Sequence, residues 1–305
     1  MEVIYESVTS IKFVMPIVTI AIPFYNSERY LSDAICSVLN QSYIDWELLL
    51  LDDGSTDESL NIAKSFTDGR IKIISDGMNR GLIYRLNESI NMARGKFYAR
   101  MDADDIMHPD RIKKQVECLS RNVRVDVVGT AWYSIDCNNR VFCYNEPNEF
   151  PTPRYILTNI CFLHPSVMGH IEWFRKNLYD SHFIRIEDYE LWLRTISKSH
   201  FQNLMLPLMY YREFGIPHIN KYLKTQLGAF RLYTSPRKYS FSLIFCLAQI
   251  LGISFKCVLY ILFSIFNKED ILVRLRKRNR RSYSDLEAYK GLQEALKKSC
   301  RSCVD

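Results

Sequence analysis

Between residues 17 and 105, short apolar runs alternate with amphipathic helical runs, and each apolar run ends in a turn rich in small or acidic residues. This alternation restricts the fold more than any other feature. Ile17 to Ile22 is nearly continuous in apolar side chains and stops at Pro23. A run that is apolar on both faces suits a buried parallel strand. Asn26 or Ser27 can cap the helix that follows, whose apolar positions are Leu31, Ile35, Val38 and Leu39. A second strand, Trp46 to Leu51, enters Asp52-Asp53-Gly54-Ser55-Thr56-Asp57. Gly54 permits the turn, Ser55 or Thr56 can cap, and Asp57 and Glu58 suit the positive end of a helix. A third strand, Ile71 to Ile74, precedes a helix near Leu82 to Ala93. Lys96 to Met101 makes a fourth and ends in Asp102-Ala103-Asp104-Asp105. This pitch predicts an α/β fold with a doubly wound, mostly parallel sheet flanked by helices. In such sheets ligands sit beyond the carboxyl ends of the strands, where the acidic clusters fall. Residues 106 to 220 read as mixed strands and helices, broken by Pro147, Pro151 and Pro153.

Three acidic motifs carry candidate chemistry. Asp102 and Asp104, one residue apart at a strand end, offer hard oxygen ligands for magnesium or manganese. A cation there would offset the charge of a departing diphosphate; the bland reading is an acidic turn before a helix near Pro109. Asp52-Asp53-Gly54-Ser55 reads either as a capped turn or as a site where an Asp accepts from a base N–H while Tyr25 stacks on that base. Glu187-Asp188-Tyr189-Glu190-Leu191-Trp192 opens a helix. Acids in a first turn are favourable in any helix, and the functional reading makes Asp188 a general base. His164 in His164-Pro165-Ser166 is ambiguous. No GxGxxG, P-loop or EF-hand pattern occurs.

Taken together, VTIAIPFYN (18 to 26), ELLLLDDGSTD (47 to 57), NRGL (79 to 82), RMDADD (100 to 105), HPSVM (164 to 168) and EDYELWLR (187 to 194) resemble the inverting glycosyltransferases of family 2, which have the Rossmann-like GT-A fold. The resemblance spans residues 16 to 212 and implies roles by position. Tyr25 and Asp53 would hold the nucleotide base, with Pro23 shaping that loop. Arg80 would approach the diphosphate, Asp102 the ribose or the metal shell, and Asp104 would bind Mn2+ or Mg2+ directly. Asp188 would be the catalytic base of a single displacement at C1. The implied donor is a nucleotide diphosphate sugar, a UDP-hexose or UDP-N-acetylhexosamine. The implied acceptor is a glycan or lipid-linked hydroxyl in cell-surface polysaccharide synthesis. Many relatives carry Tyr-Arg-x-His after the base helix. Here the run is Tyr211-Arg212-Glu213-Phe214, with His218 as a possible substitute. The Gln-x-x-Arg-Trp of processive relatives does not follow, so one sugar per binding event is expected.

Beyond the resemblance, residues 241–266 are mostly apolar around Lys256. As one helix they would reach roughly 39 Å, enough to span a bilayer, although Lys256 would cost about 3 kcal/mol at its centre. Lys221, Lys224, Arg231, Arg237 and Lys238 lie before this run, and Arg274, Arg276, Lys277, Arg278, Arg280 and Arg281 after it. Positive flanks favour the cytoplasmic side, so a hairpin breaking near Gly252 to Lys256, or helices lying in the interface, is expected. A helix pair packed on the catalytic domain is the alternative. The formal net charge of +6 gathers beside this apolar run, which points to an anionic membrane surface and not to nucleic acid. The nine cysteines include a single CxxC, Cys300 and Cys303, which reads as reduced thiols. No signal-peptide pattern opens the chain. The expectation is a catalytic domain over 1–220 and a membrane-associating helical region over 221–305, working on the cytoplasmic face of the membrane. Two other readings are a nucleotidyltransferase on a related fold and a degenerate nucleotide-binding relative. Pro23-Phe24-Tyr25-Asn26, where a Gly-rich loop would be needed, opposes the first, and Asp104 and Asp188 oppose the second.

Overall fold

The structure is a computed structural model. It describes residues 15–213, 219–234, 239, 241–266 and 286–297. Phe214, His218, the basic run 274–281 and Cys300 and Cys303 lie outside the described residues.

The expected alternation is present. β1 (Val18–Phe24), α1 (Leu31–Leu39), β2 (Trp46–Asp52), α2 (Ser59–Ser65), β3 (Ile71–Ser75), α3 (Leu82–Met92) and β4 (Phe97–Arg100) follow one another. β1 lies parallel to β2 and β4, and β2 parallel to β3. The register sets Phe24 opposite Asp52 and Ala21 opposite Arg100, so the loops after β1, β2 and β4 open on one edge. Every residue of β1 and β2 is buried, because helices cover both faces of the sheet. Thr19, Glu47 and Asp52 are the polar exceptions: Thr19 and Glu47 bond to each other at 2.8 Å, Arg94 pairs with Glu47 at 2.6 Å, and Asp52 accepts the Ser55 amide at 2.9 Å.

The later strands are mixed. β5 (Ile106–Met107), β6 (Val127–Ile135), β7 (Val141–Asn145), β8 (Met168–His170) and β9 (Phe201–Arg212) extend the sheet to the order β3-β2-β1-β4-β8-β6-β9-β5, with β7 on β6. Among them only β6 and β9 pair in parallel; β8 runs antiparallel to β4 and β6. The helices α4 (Arg111–Arg121), α5 (Pro153–Ile156), α6 (Ile171–Lys176) and α7 (Glu187–Thr195) cover this half.

The expected caps differ. Tyr30, not Asn26 or Ser27, precedes α1, with no side-chain cap. Asp57 Oδ1, not Ser55 or Thr56, accepts the Ser59 amide at 3.0 Å in the first turn of α2. The loops after β1 and β2 lie side by side and use those side chains on each other. The Asn26 amide donates to Ser55 Oγ at 3.1 Å, and the Thr56 amide to Asn26 Oδ1 at 2.8 Å.

Among the described residues three helices follow β9: α8 (Ile219–Tyr233), α9 (Leu243–Ile265) and α10 (Leu286–Ala295). The break expected near Gly252 to Lys256 is not there, since α9 runs unbroken for 23 residues. One interior glycine costs a helix only about 1 kcal/mol, and packing opposes the break. Cys246 and Ile253 of α9 join Leu232 and Tyr233 of α8 and Phe183 and Ile186 before α7 in one buried cluster. The opposite face stays open: Ile244, Leu251, Phe255, Val258 and Ile265 are exposed. By length and composition α9 is also the one candidate membrane span among the described residues. α10 is different, burying Ala288, Leu292 and Ala295 against Ile106, Tyr133 and Tyr210.

Candidate active site

The carboxylates of Asp102, Asp104 and Asp105 converge where β4 ends, with ligand oxygens within 4.8 Å of one another. Arg212, at the end of β9, fixes this turn. Its amide donates to Asp105 Oδ1 at 2.9 Å and its Nε to the Asp104 carbonyl at 2.8 Å. Its remaining nitrogens reach the Asp136 carbonyl and Asn139 Oδ1, each at 2.6 Å, and its guanidinium sits 4.0 Å from the Tyr30 ring centroid. Burial, and then the Asp102 charge, push Asp104 up to about 6. The same causes, with Asp104 itself, hold buried Asp105 well above the usual carboxylate range. Asp105 Oδ2 is buried with no partner among the described residues. A cluster of hard oxygens that disfavour their own charges and leave one acceptor unmatched fits Mg2+ or Mn2+.

Arg100 lies under this cluster and is almost fully buried. Its guanidinium pairs with Asp102 through Nη2, while Nε and Nη1 have no partner among the described residues. Burial acts against its charge, but Asp102 and the other groups around it win, and its pKa is raised. Arg111 of α4 supports it from behind, donating to the Arg100 carbonyl at 2.9 Å and the Val167 carbonyl at 3.3 Å.

Asp188 sits one residue into α7 with a third of its side chain open. Protein encloses its other sides, and that burial raises its pKa. Glu187 beside it rises to about 7 through burial and the Asp188 charge. His164 approaches with Nδ1 3.9 Å from Asp188 Oδ2, while its Nε2 is 2.8 Å from Tyr179 Oη. Burial and then Arg100 hold His164 well below its ordinary pKa, so it is neutral. A half-open carboxylate of raised pKa, with a neutral imidazole beside it, can accept a hydroxyl proton.

Asp102, Asp104, Asp188 and Arg80 line one cleft of roughly 2100 Å³, together with Arg100, His164 and Glu187. Tyr25, Pro23 and Asp53 are not part of its lining. Pro23 is buried inside β1, pairing with Leu51, and Tyr25 follows as an exposed ring. Asp53 is held next to it by its amide, which donates to the Phe24 carbonyl at 2.8 Å. The contacts of the Asp53 carboxylate are those of a loop clamp. It accepts the Arg80 amide at 2.8 Å, the Gly81 amide at 3.0 Å and Arg85 Nε at 3.0 Å. Gly54 is required at the crossing, with φ +73° and a Cβ that would lie 2.8 Å from the Met78 carbonyl carbon. Arg80 pairs with Asp76 through Nε at 2.7 Å.

Sequence reasoning did not single out Arg85, Arg100 or Arg111. Arg85 and Arg100 are charged residues among apolar or aromatic neighbours in a helix or strand, and a buried cation must be paired; that was the available signal, and Arg111, between Asp110 and Ile112, lacked it. The other side of the cleft was not foreseen either. Arg185 before α7, Lys221 and Tyr222 of α8, and Lys256 and Tyr260 of α9 line it. The Tyr222 and Tyr260 rings stack with centroids 4.0 Å apart and planes 10° apart.

The family model described as glycosyl transferase family 2 matches residues 19–183, more than half of the chain. The chain belongs to glycosyl transferase family 2. The EpsE protein of Bacillus subtilis is 37% identical to this family 2 chain over 185 residues, covering 59% of the chain and 66% of EpsE. An Escherichia coli relative, the UDP-Glc:alpha-D-GlcNAc-diphosphoundecaprenol beta-1,3-glucosyltransferase WfgD, is 31% identical over 180 residues, covering 58% of the chain and 68% of WfgD. Among solved structures, S. aureus TarS 1–349 in complex with UDP-GlcNAc aligns with TM-score 0.58 at 17% identity, covering 94% of this chain and 83% of that one. The mannosyltransferase PcManGT of Pyrobaculum calidifontis, with GDP-Man and Mn2+, aligns with TM-score 0.55 at 15% identity, covering 95% and 83%. These likenesses agree with the GT-A fold. Of the cysteines, Cys118, Cys137, Cys161, Cys246 and Cys257 are free thiols.

Proposed function

We propose that the protein transfers one sugar, with inversion, from a UDP-sugar to a lipid-linked glycan acceptor at the cytoplasmic face of a membrane. The convergence of Asp104 and Asp188 on one cleft carries this reading. Asp102 and Asp104 would hold Mn2+ or Mg2+, whose charge offsets that of the diphosphate as it leaves. Arg80 faces the same end of the donor. Tyr25, beside Pro23 and the loop that Asp53 clamps, receives the base. Asp188 takes the proton of the acceptor hydroxyl as that oxygen attacks C1, and His164 with Tyr179 orients the carboxylate.

A lipid-linked acceptor is supported by the E. coli relative, whose name gives a diphosphoundecaprenol-linked substrate, and by the exposed apolar face of α9. UDP is supported by the ligand of the S. aureus neighbour. The test is calorimetry of UDP binding with Mn2+ on the full chain. Asp104→Ala is expected to abolish the metal-dependent part of the affinity, with Asp102→Ala weaker in effect. Undiminished affinity in Asp104→Ala would remove the metal role.

A further inference from the structure

The cleft is larger than one small ligand needs, since pockets for such ligands usually hold about 300–1,000 Å³ against its roughly 2100 Å³. Its charge is paired unevenly. Asp102, Asp104, Glu187 and Asp188 line it together with Arg80, Arg100 and Arg212, whereas the part formed by α8 and α9 carries Lys221 and Lys256, with Arg185 bonded to α8 beside them. Lys221, Lys256 and Arg185 are exposed. Among the described residues no ion pair engages any of them, and the Arg185 guanidinium bonds a hydroxyl, Thr225 Oγ1, at 3.3 Å. Arg185 also holds φ at +71°, a conformation that non-glycine residues rarely adopt and that tends to mark functional positions. Unpaired cations of this kind at the mouth of a cleft fit an anion.

Lys256 identifies which anion. It follows Phe255, and neighbours on a helix point about 100° apart. Phe255 belongs to the exposed apolar stripe, whereas Lys256 turns into the cleft. The Tyr222–Tyr260 stack locks α8 to α9, and so fixes the wall that carries Lys221 and Lys256. One helix thus presents a hydrocarbon-compatible face on one side and, on the other, a cation lining the cleft that Asp104 and Asp188 share.

We propose that Arg185, Lys221 and Lys256 form a seat for the diphosphate of a polyprenyl-diphosphate-linked acceptor, whose prenyl chain leaves along the apolar stripe of α9. This rests on the lipid-linked reading given above and adds the group recognised and the residues that recognise it. The seat orients the acceptor: with its diphosphate against α8 and α9, the sugar at the head of the lipid extends towards Asp188. It is separate from the donor's diphosphate, which belongs to the carboxylate end of the cleft.

The test uses the full chain in neutral detergent micelles, with farnesyl diphosphate, farnesol and inorganic pyrophosphate as probes, each titrated with and without UDP and Mn2+. Wild type is expected to bind farnesyl diphosphate well above either fragment, and to bind it still with UDP and Mn2+ present. Lys221→Gln/Lys256→Gln is expected to weaken farnesyl diphosphate by at least about tenfold, since each charged hydrogen bond lost is of that order. UDP affinity should stay within about twofold, which also shows that the variant folds. Lys221→Arg/Lys256→Arg should restore binding. The proposal is overturned if UDP and farnesyl diphosphate compete, or if the Gln variant loses UDP affinity in parallel, because the cations would then serve the donor. Equal binding of pyrophosphate and farnesyl diphosphate would overturn the prenyl path. Failure of UDP to bind would count against the donor reading alone, with the farnesyl diphosphate titration still deciding this one.

Discussion

The two walls of the cleft are built in opposite ways. The acidic wall stands on the ends of sheet strands and the first turn of α7. Its carboxylates are partly or fully buried, and burial, with a neighbouring carboxylate's charge, raises the pKa of Asp104 and Glu187. The cations Arg100, Arg111 and Arg212 behind it are fully or almost fully buried; hydrogen bonds lock Arg111 and Arg212, and Arg100 pairs with Asp102. The basic wall stands on α8, on α9 and on Arg185 just before α7, and its cations are exposed. The acidic wall is rigid because its charges would be costly without their supports, which is the condition for holding a metal and a base in fixed positions. The basic wall has no such support, which suits a site for a long, mobile substrate.

The largest effect that would sharpen this contrast is on turnover. Asp188→Asn keeps the shape of the side chain but cannot take the proton. We expect kcat to fall by about a hundredfold or more while UDP affinity holds. A wild-type kcat would remove Asp188 as the base and dissolve the functional meaning of the acidic wall.

Next is stability. A Cβ on Gly291 of α10 would lie 2.5 Å from Tyr210 Oη and 2.9 Å from the His108 ring. Tyr210 Oη donates to the Ala288 carbonyl at 2.9 Å, so Gly291→Ala pushes directly on the contact that docks the helix. We expect a loss of about 1–3 kcal/mol by denaturant titration. Truncation near residue 235 removes α10 as well as α9, and should for the same reason destabilise the sheet edge at Ile106 and Tyr210. If that truncated chain kept full stability, α10 would not be part of the core.

A smaller effect should come from Glu187. Its folded-state pKa of about 7 lies above its ordinary value of 4.5. A raised carboxyl contributes most to stability below the unfolded pKa, and that contribution is lost as pH rises through the folded one. Glu187→Gln should therefore raise stability at pH 8, by on the order of 1–3 kcal/mol, and change little at pH 4. Melting curves at the two pH values decide it, and equal shifts would mean that Glu187 does not titrate there.

The smallest effect on folding belongs to the open face of α9. Leu251→Asp with Phe255→Asp should alter stability by no more than about 0.5 kcal/mol yet reduce co-sedimentation with lipid vesicles. A large loss of stability would show instead that another part of the chain covers this face.

The parallel half of the sheet was legible because each strand there is buried on both faces, which leaves a plain mark in sequence. Asp102, Asp104 and Asp188 were legible because they lie at the ends of such strands or at the start of a helix with a strong apolar pattern. The mixed half was not, since β6 and β9 pair across some seventy positions (Val127 faces Phe201) and no local pattern records the partner. The supports were hidden for a similar reason: nothing near Arg212 in sequence announces Asp104, 108 positions away. The basic wall was the least visible. Lys256 looked like a misfit within an apolar run, and only the packing of α9 on α8 brings it into the lining of the cleft.

On the proposed lipid-linked reading, the apolar stripe of α9 also bears on how this enzyme meets its acceptor. A catalyst lying along a bilayer searches a plane, and the acceptor it encounters is counted per unit of surface and not per litre. Its rate should then fall when inert lipid is added at fixed total acceptor, although no molecule in the tube has become more dilute. Under the proposed lipid-linked reading, membrane composition would control sugar transfer without touching any residue of the cleft.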